Sequence, residues 1–391
     1  CHVTDGADYR CNITYHHEHH AGVDDAIVAW EREVFGGKVA PATEAAGNVI
    51  SWYLEFIDNR DLTLGTRDFN GSPRFSTGYV PIRNRPGILI ETHMIKDYRS
   101  RVIGTYDFLL AALKEANRDP ERLRQLGREA DERTVAAGKG YDPDRLFPLD
   151  FELTEEVTPF ALKAFNYETE HSEISNDLRV VYGREPLDLT VPMYQTFRVT
   201  KAVAPPLEYI VPYQWTEVID VLKAHGLEMK TLAEFFPVEI ESYRFKNVQW
   251  PHGPFEGRYM PRFDVEQTTE TRVFPAGSVI LPLDQACAKV LMNLLEPEAP
   301  DSLVRWGFFN AIFEEKEYGE PYVLEALARE MMANDPALKQ EFEQLVATDE
   351  EFAASPLERL RFFHKRSPYW DPQMNLYPVG RIIRMFDLPL T

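Results

Sequence analysis

The sequence predicts an α/β fold: part of a mixed, mostly parallel sheet with helices, followed by a β-rich region and a helical tail. Three observations carry this reading. Ile88–Ile90, inside PGILIETH and bounded by Pro86 and Gly87, is an unbroken apolar run, the pattern of a strand buried on both faces. Arg101 to Ala116 sets apolar Val102, Tyr106, Leu109, Leu110 and Leu113 at spacings of three and four, which reads as an amphipathic helix. Beyond about residue 150 the hydrophobic period shortens towards two, with Pro and Gly as punctuation. Loop, buried strand and helix in succession are the signature of layered α/β architecture.

Taken in order, Asp24–Glu33 (DDAIVAWERE) has helical spacing and an acidic first turn, which suits the helix dipole. The buried strand and the Arg101 helix follow. A charged helical stretch, Pro120 to Ala137, then leads into Gly138, Gly140 and Pro143, where a boundary is expected. The segments DLRVVYGREPLDLTVPMYQTFRVTK and EIESYRFKNVQW read as strands, interrupted by a helix around Trp215 to His225 that ends at Gly226. Further on, Asp335-Pro336 and Ser355-Pro356 each pair a cap residue with Pro at the first helical position, opening helices over Ala337–Val346 and Leu357–Phe363. The expected organisation is therefore 1–140, 150–282 (β-rich) and 283–391 (mainly helical).

The 391 residues are 44% hydrophobic, enough for sizeable cores. Their formal charge of −21 repels a phosphate backbone and argues against nucleic acid as the main partner. No apolar run approaches the ~20 residues of a transmembrane segment. Cys1, Cys11 and Cys287 are too few for a disulfide scaffold.

Three places could carry chemistry. His16-His17-Glu18-His19-His20 packs four of the ten histidines into five residues. A zincin helix needs H-E-x-x-H, but Ala21 stands where the second His of His17-Glu18 should be. Asn12 and Gly22 flank the run like a loop, so a polar surface loop is the reading that residue types favour, with the lip of an active-site cleft or adventitious metal binding as the alternatives. Glu91 follows PGILI at the expected carboxyl end of the buried strand, where open α/β sheets bind ligands and a desolvated carboxylate can act as general base. Its alternatives are a cap on the next segment or an ion pair with Arg83, Arg85 or Arg99. His2 opens the Gly/Asp loop HVTDG and could ligate a metal, although catalytic zinc takes three protein ligands.

The opening CHVTDGADY and the later RFSTGYVPIRNRPGILIETHMIKDYRSRV together resemble the zinc carboxypeptidase family, the M14-type metallocarboxypeptidases. LLEPEAPDSLVRWGFFN, FEEKEYGEPYVLEAL and FFHKRSPYWDPQMNLYP look like the long C-terminal extension of its bacterial members. The resemblance implies a carboxypeptidase-like sheet, of which residues 1–140 are the C-terminal portion. It implies one zinc ion per intact site, with His2 as the third metal ligand and Glu91 as the general base. Tyr79 matches the family's substrate-facing tyrosine, and Arg83 or Arg85 could hold a substrate carboxylate. The implied partner is a peptide substrate, cut at its C-terminal bond, and the family tendency is periplasmic or secreted.

The departure from the family lies at the front. Its H-x-x-E ligand pair belongs upstream of His2, and neither His171-Ser172-Glu173 nor His252-Gly253-Pro254-Phe255 replaces it. The chain is thus expected to be part of a longer enzyme, and by itself neither to bind zinc stoichiometrically nor to hydrolyse peptides. The competing expectation is a non-catalytic module that binds a peptide or glycan.

Overall fold

The computed structural model describes residues 1–316 and 318–391, a mixed α/β protein. A four-stranded sheet lies at its N-terminal end. Its order is His2–Thr4, Leu89–His93, Ile13–His16 and Ile50–Trp52. The outer pairings are parallel and the central one, between Leu89–His93 and Ile13–His16, is antiparallel. Strand alternation sorts the residues by face. Ile13, Ile50 and Ile90 turn to one side and build a core with Ile27, Trp30, Phe108 and Ala130 of the flanking helices. Thr14 and Glu91, opposite one another in the register, turn to the other side.

The helix Tyr98–Arg118 reaches beyond the expected Arg101–Ala116 at both ends, with Asp97 capping it through the Ser100 amide. The apolar row that marks it in the sequence is not its core face. Gly104, Phe108 and Ala111 are buried, whereas Val102, Tyr106, Leu109 and Leu113 are 43–67% exposed. Gly104 explains the choice, because a Cβ there would lie 2.8 Å from Asn12 Nδ2 and 3.1 Å from Asn48 Oδ1. The exposed row sits in the same part of the chain as the exposed Met94, Ile95 and Tyr98. The strand His2–Thr4 pairs on one side only, leaving its other edge open among the described residues.

The β-rich stretch is joined to this sheet system rather than set apart from it. The hairpin Val157–Ser172 with Asp177–Tyr194 continues onto Thr66–Arg67, and Tyr9 bridges to Ala164. Between them lies a core of Tyr9, Leu54, Phe56, Leu62, Leu162 and Val191. A six-stranded antiparallel sheet follows, in the order Lys230–Thr231, Val279–Pro282, Glu208–Val211, Gly380–Ile382, Phe236–Gln249 and Arg262–Phe274. The expected division at residue 283 therefore does not separate a helical unit. Gly380–Ile382 returns from the tail to sit between two strands of that sheet, and Ala288–Leu295 packs beneath it through Leu291 and Leu295. The helices Pro321–Asn334, Pro336–Thr348 and Pro356–His364 gather around Phe342, Phe362 and Phe363.

A buried polar knot locks the six-stranded sheet to that helix. Glu296 accepts from the hydroxyls of Tyr209 and, at 2.7 Å, Tyr243, and pairs with Arg381 Nε at 3.0 Å. Arg381 also reaches Glu241 at 2.7 Å. A buried ion pair holds best when its remaining lone pairs and protons are met, and here the two tyrosines donate to Glu296 while Glu241 and the Ala204 carbonyl oxygen accept from the terminal nitrogens of Arg381.

Candidate functional site

His2 and Glu91 are register partners on parallel neighbouring strands, so both side chains leave the same face. His2 Nδ1 lies 3.3 Å from Glu91 Oε1. The two differ sharply in exposure, 71% for the imidazole and 8% for the carboxylate. Burial pushes the Glu91 carboxyl above its ordinary value, while the His2 imidazole pulls the other way. Tyr53 shares this environment: its hydroxyl is raised to about 12 by burial, then by the charges of Glu91, Glu55 and Asp5. The expected position of Glu91 at the carboxyl end of its strand needs correction, since it is the middle residue of Leu89–His93. The neighbouring strand His2–Thr4 is the edge of the sheet among the described residues.

Tyr79, Arg83 and Arg85 are occupied elsewhere. Tyr79 lies on the helix Ser76–Ile82, its hydroxyl 2.9 Å from His225 Nδ1. Arg83 donates to the His225 carbonyl oxygen at 2.7 Å. These bonds tie the Tyr79 helix to the end of the helix Thr216–Ala224. Arg85 forks onto both oxygens of Asp131 at 3.0 and 2.9 Å, the bidentate geometry a guanidinium prefers. Among the described residues none of the three hydrogen-bonds to His2 or Glu91. Tyr79 does line a cavity of about 210 Å³ with Arg74, His225 and Trp306.

The histidine run departs most from expectation. It is not a surface loop: His16, His17 and Glu18 are 0–2% exposed. Nor is it helical, because His16 ends the strand Ile13–His16 and the next four residues are irregular. Trp52, on the neighbouring strand, presents its ring to His16, His17 and His19 at centroid distances of 5.1–6.1 Å. Three carboxylates enter the same region, Glu18, Glu31 and Asp68, all with side chains at 0% exposure. His16 Nε2 lies 3.1 Å from Asp68 Oδ1 and His19 Nε2 3.5 Å from Asp68 Oδ2. His17 faces Glu31 at 3.3 Å, and His20 faces Glu18 at 3.8 Å. Burial holds the Glu18 carboxyl well above its usual range and lowers His20 to about 4. His16, His19 and Asp68 each bring one donor atom within 4.8 Å of the others, so this buried group could hold a metal ion.

Sequence reasoning singled out the histidines but not Asp68 or Glu31, which arrive from a loop and a helix with no local signal of their own. The glycines give a partial one. A Cβ on Gly71 would sit 2.5 Å from Glu18 Oε1, so the bare backbone is what lets the Gly71 amide donate to that oxygen at 2.8 Å.

In comparisons with protein-family models, with curated proteins and with solved structures, nothing matches this chain.

Proposed function

We propose that the chain carries part of a zinc-dependent hydrolytic centre of the metallocarboxypeptidase kind, with His2 as a metal ligand and Glu91 as the general base that acts on a peptide's C-terminal bond. One observation carries this reading: an exposed imidazole and a buried carboxylate in register across two parallel strands at an open sheet edge. The fit to zinc is partial. Catalytic zinc takes three protein ligands, and of the two imidazoles on these paired strands His2 is exposed while His93 is buried against the Gly6 and Ala7 carbonyl oxygens. The remaining ligands would come from polypeptide lying against the open edge of His2–Thr4, where the exposed apolar row of Tyr98–Arg118 offers further surface to bury. When bound, zinc would lower the pKa of a coordinated water and polarise the scissile carbonyl.

The chain's own part is proton handling. Glu91 is desolvated, so its carboxyl holds a proton more readily than a free glutamate and can take one from water and return it to the departing amine. Tyr79, Arg83 and Arg85 remain proposals as substrate-binding groups, and each would first have to leave its present partner. A non-catalytic peptide- or glycan-binding role is the second reading, favoured by the cavity of about 540 Å³ lined by Arg244, Glu270, Arg272 and Asp371 on the six-stranded sheet.

The test is hydrolysis by the whole gene product that contains this chain. Paired peptides differing only in a free or amidated C-terminus should separate, with release of a terminal residue from the free form alone. Equal cleavage of both, or of neither, would remove the exopeptidase reading.

A further inference from the structure

The strand end and loop from His16 to His20 bury three carboxylates with no cationic side chain to offset them. Among the described residues, Glu18, Glu31 and Asp68 come within ion-pair distance of histidines only. Buried charge of one sign is costly unless a counter-charge or a proton meets it. The three share a pattern. One oxygen of each is anchored by a neutral N–H: Asp68 Oδ1 by the Phe69 amide at 2.8 Å and the Trp52 indole at 3.1 Å, Glu18 Oε1 by Gly71 at 2.8 Å, Glu31 Oε1 by Gly87 at 2.7 Å. The other oxygen of each, Asp68 Oδ2, Glu18 Oε2 and Glu31 Oε2, is buried and makes no hydrogen bond. Both ring nitrogens of the fully buried His16 are likewise without a hydrogen bond, although Nε2 lies 3.1 Å from Asp68 Oδ1. Orphaned donors and acceptors at this density call for a missing partner.

We propose that this partner is one divalent transition-metal ion held by His16, His19 and Asp68, a site separate from His2 and Glu91. The spacing suits it. A tetrahedral ion with bonds of about 2.1 Å sets its ligand atoms roughly 3.4 Å apart. His16 Nε2 lies 3.1 Å from Asp68 Oδ1 and His19 Nε2 3.5 Å from its other oxygen, Oδ2, and one donor atom from each of the three residues falls within 4.8 Å of the others. Two imidazoles and one carboxylate favour zinc, iron, nickel or copper over calcium or magnesium, which prefer oxygen alone. His19 Nδ1 lies 3.4 Å from the His17 carbonyl oxygen, the outer bond that orients a ligating imidazole. With the single proton of the neutral imidazole on Nδ1, facing the His17 carbonyl oxygen, Nε2 keeps its lone pair for the ion, and the Gln195 carbonyl oxygen, 3.0 Å from Nε2, is a further oxygen beside the cation. The His19 side chain, 12% exposed against 0% for the other two, marks the side from which an ion enters. The ion would fasten the Ile13–His16 strand to the Asp68 loop and to the Gln195 turn between two strands of the β-rich stretch.

The experiment uses the full chain, stripped with a chelator and dialysed, then titrated with Zn²⁺ by calorimetry and with Co²⁺ by visible absorption. One equivalent should bind, with the intense ligand-field bands of a low-coordinate cobalt site. H16N and H19N should weaken binding by more than roughly a hundredfold, beyond what loss of an outer partner costs. H2A should bind like the unmodified chain, which separates this site from the hydrolytic centre. Absence of binding by the unmodified chain overturns the proposal, as does an ion lost in H2A and kept in H19N. Should the histidine variants fail the far-UV dichroism check, X-ray absorption of the cobalt-loaded unmodified chain decides: two coordinated imidazoles uphold the site, and one or none overturns it.

Discussion

His2 and Glu91 stand opposite one another on parallel strands, with Nδ1 of the imidazole 3.3 Å from Oε1 of the carboxylate. Parallel pairing at that register is what sends both side chains to one face, and the open edge is what keeps one of them in solvent. The result is a desolvated carboxylate beside an exposed imidazole.

The polar knot around Glu296 should dominate the stability of the six-stranded sheet. Replacing Arg381 by Met leaves Glu296 and Glu241 without their cation. Breaking a buried pair in this one-sided way costs about 3–5 kcal/mol. Urea unfolding should show the loss as a lower midpoint, and R381M with an unchanged midpoint would contradict the arrangement.

The Asp24–Arg133 pair should give the N-terminal helices a pH-dependent bond. Burial raises the Asp24 carboxyl, but the forked bonds from Arg133 at 2.8 Å outweigh it and leave the carboxyl below its ordinary 3.8. A depressed folded-state value means the contribution is present in full above about 3.8 and fades as pH falls below it. The stability gap between the unmodified chain and R133M, followed by urea midpoints, should thus be constant near neutrality and close in acid. A gap that widened in acid would reverse the sign.

Gly71 should tolerate no side chain. Alanine would place Cβ 2.5 Å from both Glu18 Oε1 and Thr77 Oγ1, and overpacking of this kind costs about 1–3 kcal/mol. G71A should lower the thermal midpoint measurably, whereas Ala at the open Gly140 should not.

The exposed row on Tyr98–Arg118 should be removable at little cost. Val102, Tyr106 and Leu113 are 46–67% exposed, and exposed substitutions usually move stability within about 0.5 kcal/mol. The double variant V102K/L113K should bind less of a hydrophobic dye and scatter less light at high concentration, with its unfolding midpoint kept. A large drop in that midpoint would show the row to be buried in the chain as it folds.

Much of this was legible where the determinant is local. Asp335 and Ser355 do cap the helices they were expected to open, accepting from Leu338 and Glu358 amides at 3.0 and 3.2 Å, because capping is decided within one turn. Ile90 reads as buried because its neighbours in sequence say so. The place of Gly380–Ile382 between two distant strands, and the choice of Phe108 over Leu109 as the core contact, depend on packing that no window of residues contains. The histidine run shows the same limit most clearly. Residue types alone favour solvent, and its burial is set by Trp52, Asp68 and Gln195 arriving from other elements.

The most direct measurement of the central claim is made on the gene product that contains this chain, comparing metal content and peptide hydrolysis for the unmodified protein, H2A and E91Q. Glu91 as general base predicts that E91Q keeps its metal while kcat/KM falls by about 10²–10⁴, and that H2A loses metal and activity together. E91Q hydrolysing free C-terminal residues at the unmodified rate would contradict the account.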